Sequence, residues 1–354
     1  MATEFWTTGA GVPTRIGEFA RRAEAEGWDG LALVDSQNLA PDPYVALGLA
    51  AAATSTLKLA TGVTNPLTRH PAAAATVAAT VQAASAGRFV MGIGRGDSSL
   101  AHLGLAPASP KAFERYLVRL QGYLRGDEVP FEVDMDGADV AAASSHLGMA
   151  GGPTGSQIRW IVAAGLPKVP VDVAATGPRV IAIAARHADR VSFAVGASAT
   201  RLSWAIDQYR QTRADGDLTG VGAYIPVLVH PDRDVAREHI SGGVASFARF
   251  SVMHGSVTGP ADERSRAALE AVHDAYDMNH HFSHGSPQSQ GLTADVIDEF
   301  GIAGPPDYCI ERLQELVRLG LTKFILMAGG IGMDRQIASQ SRKLLSEVVF
   351  PALR

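Results

Sequence analysis

The sequence predicts a closed (β/α)8 barrel, a TIM barrel with insertions, and three observations predict it. Eight short apolar runs are spread along the 354 residues, most are followed by a longer stretch of helical periodicity, and polar or glycine residues gather directly after the runs. Apolar strands without alternation belong to a parallel sheet buried on both faces. A closed barrel takes up eight such units with no edge left over; an open doubly wound sheet is the alternative. A chain of this length buries roughly three-quarters of its unfolded surface, so a full core needs no staples. Residues 1–354 read as one domain.

The elements follow in order. The first run is 4–8. The helix after it has Ile16, Phe19, Ala20, Ala23 and Gly27 at helical spacing, with Thr14 as N-cap and Gly27 near the stop. The remaining runs are 31–34, 57–63, 89–93, 171–175, 190–195, 222–229 and 323–327. Helical patterns occupy 42–53, 71–85, 111–124, 178–187, 199–213 and 335–353. Pro43, Pro71 and Pro178 sit near helix starts, where the missing N–H of proline costs little. Two connections exceed a simple loop. Residues 125–170 are polar and glycine-rich, with the acidic stretch FEVDMDGAD. Residues 230–322 hold two or three extra helices and the aperiodic segment NHHFSHGSPQSQG. Both read as insertions at one face of the barrel.

Composition excludes several classes. With 31 Lys+Arg against 36 Asp+Glu the chain is mildly acidic, which argues against a nucleic-acid footprint. The start MATEFWTTGAG has neither a basic nor an apolar signal region, and no stretch reaches the ~18 apolar residues of a membrane span. The single cysteine, Cys309, cannot form an internal disulfide and falls on the apolar face of a helix, as a core residue would. The expectation is a soluble, cytoplasmic globular protein with no nucleic-acid or membrane partner.

In such a barrel, chemistry gathers at the carboxyl ends of the strands. The second run ends in Asp35-Ser36-Gln37-Asn38, the third in Gly62-Val63-Thr64-Asn65 and the fourth in Gly94-Arg95-Gly96-Asp97. The fifth ends in Ala174-Ala175-Thr176-Gly177-Pro178 and the sixth in Gly196. Asp35 serves either as a functional acid at the mouth or as a turn cap. GIGRG fails as a dinucleotide fingerprint, since its spacing is G-x-G-x-G after the fourth strand and no helix starts at once. AATGP before a helix offers backbone amides to an anion, or is an ordinary βα turn. His280, His281 and His284 lack a carboxylate at metalloprotease spacing and are followed by Gly285 and Pro287, so the reading is a loop histidine lining a pocket or simply a solvated loop, and no metal. A serine-hydrolase elbow is absent.

Five stretches carry a resemblance: TGVTNPLTRHP (61–71), GRFVMGIGRGDSSLAHLGL (87–105), VDVAATGPRVIAIAARHADRV (171–191), IDEFGIAGPPDYCIERLQELVRLGLTKFIL (297–326) and GGIGMDRQIA (329–338). Together they resemble the luciferase-like monooxygenase superfamily, and within it the coenzyme F420-dependent branch of the methylenetetrahydromethanopterin reductases. The resemblance implies hydride transfer between deazaflavin coenzyme F420 and an organic substrate, in a protein that forms a homodimer. Alternatives are FMN with oxygen activation in the same barrel, and a barrel that binds a flavin without turnover. It implies a cis peptide at Gly62–Val63 behind the deazaflavin ring, flanked by Thr61, Thr64 and Asn65. Gly94, Arg95 and Gly96 lie beside the ring and its ribityl chain. Ala174, Ala175, Thr176, Gly177 and Pro178 form a phosphate cradle, with Gly196 on the next strand end and Asp35 at the head of the site. Proton-moving candidates are Asp35, Ser36 and His281; Arg95, Arg179 and Arg201 are candidates for the anionic tail. Two positions depart from the pattern: Ser36 stands where relatives often have His, and Thr7 or Thr8 where the reductases carry Glu.

Overall fold

The computed structural model describes residues 3–131, 148, 151–213 and 216–354. Eight strands form its centre: β1 Glu4–Gly9, β2 Gly30–Leu33, β3 Lys58–Thr61, β4 Phe89–Ile93, β5 Val171–Ala175, β6 Arg190–Phe193, β7 Val221–Val229 and β8 Lys323–Met327. Each pairs in parallel with the next and β8 with β1, so the sheet closes into the expected barrel. The third strand stops short of the expected 57–63, because the chain turns at Gly62–Val63.

Side chains alternate between two cores. Leu31, Leu59 and Phe89 lie in register on the outer face and are fully buried beneath the helices. Trp6, Ala32, Ala60, Val90, Tyr224 and Ile325 belong to a separate cluster that fills the lumen. The lumen floor is polar but paired. Lys323 meets Asp172, whose two oxygens also accept from Ser192 Oγ at 3.0 Å each. Glu4 takes Lys58 Nζ at 2.6 Å and Arg190 at 3.3 Å. Burial lowers the pKa of Lys323 while Asp172 opposes the shift. Trp6 lies across Gly30, where a Cβ would fall 2.2 Å from the indole, so only glycine fits.

The helices are α1 Ile16–Ala25, α2 Pro43–Ala53, α3 Pro71–Ala84, α4 Pro110–Arg125, α5 Pro178–His187, α6 Ala199–Thr212, α7 Arg233–Phe250, α8 Glu263–Asp274, α9 Ala294–Phe300, α10 Pro306–Arg318 and α11 Arg335–Leu344. Proline opens α2 to α5 and α10, and Asp42 caps α2 by accepting from Tyr44 N at 2.9 Å. Thr14 does not cap α1: the carbonyl of Val12 already takes the amides of Arg15 and Ile16, and no side chain caps the helix. The final helix continues through a π-turn at Leu345–Val349 to Leu353. Within 125–170 the described residues add a short antiparallel pair, Val129–Pro130 with Gly155–Ser156, and a helix at Arg159–Ala163. All of FEVDMDGAD after Phe131 lies outside the described residues. The long connection after β7 holds α7, α8, α9 and α10, together with a strand, Ile302–Gly304, that extends the sheet along the end of β7. Three residues carry no usable period, which is why it escapes a sequence reading.

Candidate active site

At the mouth, β2 delivers Asp35 into a clamp. The carboxylate is only 2% exposed, accepting from Gln37 Nε2 at 2.5 Å and from Arg69 Nη1 at 2.6 Å. Arg69 also holds Asp42 at 2.6 Å and lies over the Tyr44 ring at 4.9 Å. Asp35 therefore neither caps the turn nor emerges freely at the mouth, because two side chains take its oxygens. Ser36, half-buried, instead closes the turn, its carbonyl accepting from Leu39 N and Ala40 N. Among the described residues, Gln37 Oε1 and Thr68 Oγ1 are buried with no partner. Gln37 must turn its NH2 toward the carboxylate, so its orphaned atom is an acceptor waiting for an N–H or O–H donor.

After β3, the Gly62–Val63 peptide is cis. Gly62 N donates to Leu33 O at 2.6 Å, and a Cβ on Gly62 would lie 2.9 Å from Ala32 Cβ. Thr61, Thr64 and Asn65 are each 1% exposed and bonded internally: Thr61 Oγ1 to Gly92 O at 2.7 Å, Thr64 N to Gly92 O at 2.9 Å, and Asn65 Oδ1 from Leu67 N at 3.0 Å. They hold the bulge in place. Gly94 lies beside it, its missing Cβ 3.2 Å from Val63 Cγ2 and 3.8 Å from Ala174 Cβ. Val63, Gly94 and Ala174 thus form a contiguous apolar platform on three neighbouring strand ends, with Val63 and Ala174 half-buried.

Arg95 Nε donates to Ala108 O at 2.5 Å; burial lowers its pKa, and no carboxylate pairs with it among the described residues. Gly96 has φ +89, and a Cβ there would strike Leu100 Cδ1 at 2.3 Å. Gly177, half-buried after Ala175 and Thr176, occupies the N-cap of α5 with no side-chain cap and Pro178 following. Among the described residues only Thr258 Cγ2, at 3.8 Å, lies near its missing Cβ, which leaves room above these amides for an anion. Gly196 is a different case. It packs against Phe300, with a virtual Cβ 2.9 Å from Phe300 Cα, which accounts for the glycine without a ligand.

Arg201 turns inward: it is 1% exposed and bonded to Val195 O, Pro260 O, Ser251 Oγ and Thr258 O. It cannot meet an anionic tail. Arg179 is exposed. The three histidines diverge: His280 binds Asp277 at 2.7 Å, His284 packs at a tilt against His239 with ring centroids 4.9 Å apart, and His281 meets Tyr276. No cluster of three or more potential metal ligands occurs among the described residues.

His281 is tied to the β4 end by groups that sequence reading missed. Arg249 Nη1 pairs with Asp97 at 2.5 Å and its guanidinium lies 4.6 Å above the Tyr276 ring. Arg69 and Asp97 sit inside motifs already singled out. Arg249 and Tyr276 lie far along the chain with no local pattern to mark them.

Residues 2–323 match the family model described as luciferase-like monooxygenase. A 5,10-methylenetetrahydromethanopterin reductase of Archaeoglobus fulgidus is 27% identical over 350 residues, covering 95% of each chain. The solved structure of the coenzyme F420 dependent tetrahydromethanopterin reductase from Methanopyrus kandleri matches with a TM-score of 0.71 at 22% identity, over 100% of both chains. An F420-dependent secondary alcohol dehydrogenase in complex with an F420-acetone adduct matches with a TM-score of 0.69 at 20% identity, again over 100% of both chains. At these identities the structures establish the shared barrel.

Proposed function

The chain belongs to the luciferase-like monooxygenase family, and on that premise we propose that it is an oxidoreductase transferring a hydride between coenzyme F420 and a small organic substrate. The observation that carries the reading is the complementarity of the mouth to a planar, anionic-tailed heterocycle. The Val63–Gly94–Ala174 platform suits a flat ring, and Gln37 Oε1 is a buried acceptor suited to the imide N–H of such a ring. The uncapped amides of Thr176 and Gly177 suit a phosphate, with Arg95 and Gly96 alongside the ribityl chain. The curated relative covering 95% of this chain and both F420-dependent neighbours support the same reading.

The coenzyme supplies the hydride chemistry; the protein supplies position and electrostatics. In this reading Asp35 orients Gln37 and Arg69, Thr61, Thr64 and Asn65 brace the cis bulge, and Ser36 and His281 are the candidates to hold a substrate proton. FMN is the second reading, because an uncapped helix N-terminus and an imide acceptor suit either cofactor. A binding barrel without turnover is the third, motivated by Ser36 and by Thr7 and Thr8 at the positions noted above. We further read the protein as cytoplasmic and as a homodimer; Val45 and Leu49 on the outer face of α2 are 61% and 44% exposed, apolar surface that a second copy covers. No helix among the described residues is long and apolar enough to cross a membrane. The deciding experiment is parallel titration of the purified protein with F420 and with FMN, followed by visible spectroscopy in the presence of candidate hydride donors. Tight F420 binding with donor-dependent bleaching is expected; preference for FMN overturns the coenzyme, and binding without bleaching by any donor overturns the enzyme.

A further inference from the structure

The tautomer of His281 follows from its neighbours. Ser246 Oγ, fully buried on α7, donates to Gly242 O at 3.1 Å within its own helix. A hydroxyl has one proton and two lone pairs. With its proton committed, Ser246 can only accept from its other partners: the Phe282 amide at 3.2 Å and Tyr276 Oη at 3.2 Å. Tyr276 in turn has one proton, spent on Ser246. The close contact between Tyr276 Oη and His281 Nδ1 therefore requires the proton on the histidine, which donates from Nδ1 to the phenol oxygen. A neutral ring with Nδ1–H leaves a bare lone pair on Nε2. Nε2 has no partner among the described residues and is not sealed off in the interior.

We propose that Ser246 and Tyr276 are positioning residues that lock His281 in the Nδ1–H form, so that Nε2 is a ready-made acceptor for a substrate O–H or N–H. Burial pushes His281 down to about 4, so the ring stays neutral across the physiological range. The charged and titratable groups that face it are Asp97 on the loop after β4, Arg249 on α7 and His102. The Asp97–Arg249 pair leaves no uncompensated charge beside the imidazole. A specificity follows: the substrate is a hydride donor that carries a hydroxyl or amine hydrogen next to its reacting carbon. That last step rests on the mouth being the active site; the tautomer does not.

Histidine-labelled ¹⁵N protein, full-length and free of coenzyme, tests the tautomer by long-range ¹H–¹⁵N correlation at neutral pH. The Nδ1–H pattern is expected for His281. Ser246→Ala frees the tyrosine proton to donate to Nδ1, so the ring must switch to Nε2–H while Tyr276 and His281 both remain. Tyr276→Phe removes the Nδ1 partner and gives loss of the Nδ1–H signal, which keeps the test alive if Ser246→Ala does not fold. An Nε2–H pattern in the native protein, or an unchanged Nδ1–H pattern in both variants, overturns the proposal. Because no coenzyme is present, failure here with intact F420 binding leaves the proposed function standing, and the reverse result removes that function alone.

Discussion

Asp35 illustrates what a single residue reveals and hides. Its place at the end of an apolar strand was legible in LALVD; its partners were not, since Arg69 lies 34 positions away. A turn cap would tolerate Asp35→Asn silently. Here the substitution removes a buried charge from Arg69, so stability is expected to fall by roughly 1.5–3 kcal/mol, the range for a hydrogen bond to a charged group, as read by urea unfolding. Coenzyme affinity should fall with it, because Gln37 loses its anchor. Gly177→Val separates the two effects. Its φ of −97 suits any residue and its virtual Cβ meets only Thr258, so the apo protein should melt as before. A side chain over the amides should weaken F420 binding by about tenfold or more, on the order of the loss of one charge-assisted hydrogen bond; unaltered affinity places the phosphate elsewhere.

At the scale of elements, the eight strands and their helices were readable because each apolar run is buried and most helices carry their own period, while α2 and α3 are marked by their opening prolines and alanine-rich composition. What escaped reading has no period. The Gly62–Val63 bulge came from a motif, and the Tyr276–His281 contact lies inside an aperiodic loop that reaches α7 through Ser246. That loop is seated by Gly242, where a Cβ would lie 2.2 Å from Ser283 O. Gly242→Ala must push the loop away, at a cost of about 1–3 kcal/mol for overpacking. The expected signature is faster proteolysis within 278–290 with the barrel's circular dichroism retained; an unchanged cleavage rate would show that the loop has other anchors.

For the whole molecule, pH is the informative variable. His281 titrates at about 4 when folded against 6.5 as a free side chain, so between these values the unfolded chain binds a proton that the folded chain refuses. Stability is therefore complete above pH 6.5 and is lost as pH falls toward 4, by at most on the order of 3 kcal/mol. Glu24 acts lower. Burial raises its pKa, but hydrogen bonds from Thr56, Leu57 and Ser55 outweigh this and hold it at about 2, so its contribution fades below pH 4.5. His281→Asn should flatten the slope between pH 6.5 and 4 and leave the lower one; an unchanged upper slope would assign it to another group. Sedimentation of the native protein beside Val45→Asp checks the homodimer, with a shift to monomer expected. The floor of the barrel carries a further consequence. Trp6 across Gly30, with the Asp172–Lys323 pair beside it, stops the lumen like a corked tube. With the floor closed by these described residues, entry is expected from the mouth, and two molecules that must lie one upon the other are expected to queue: the lower arrives first and departs last.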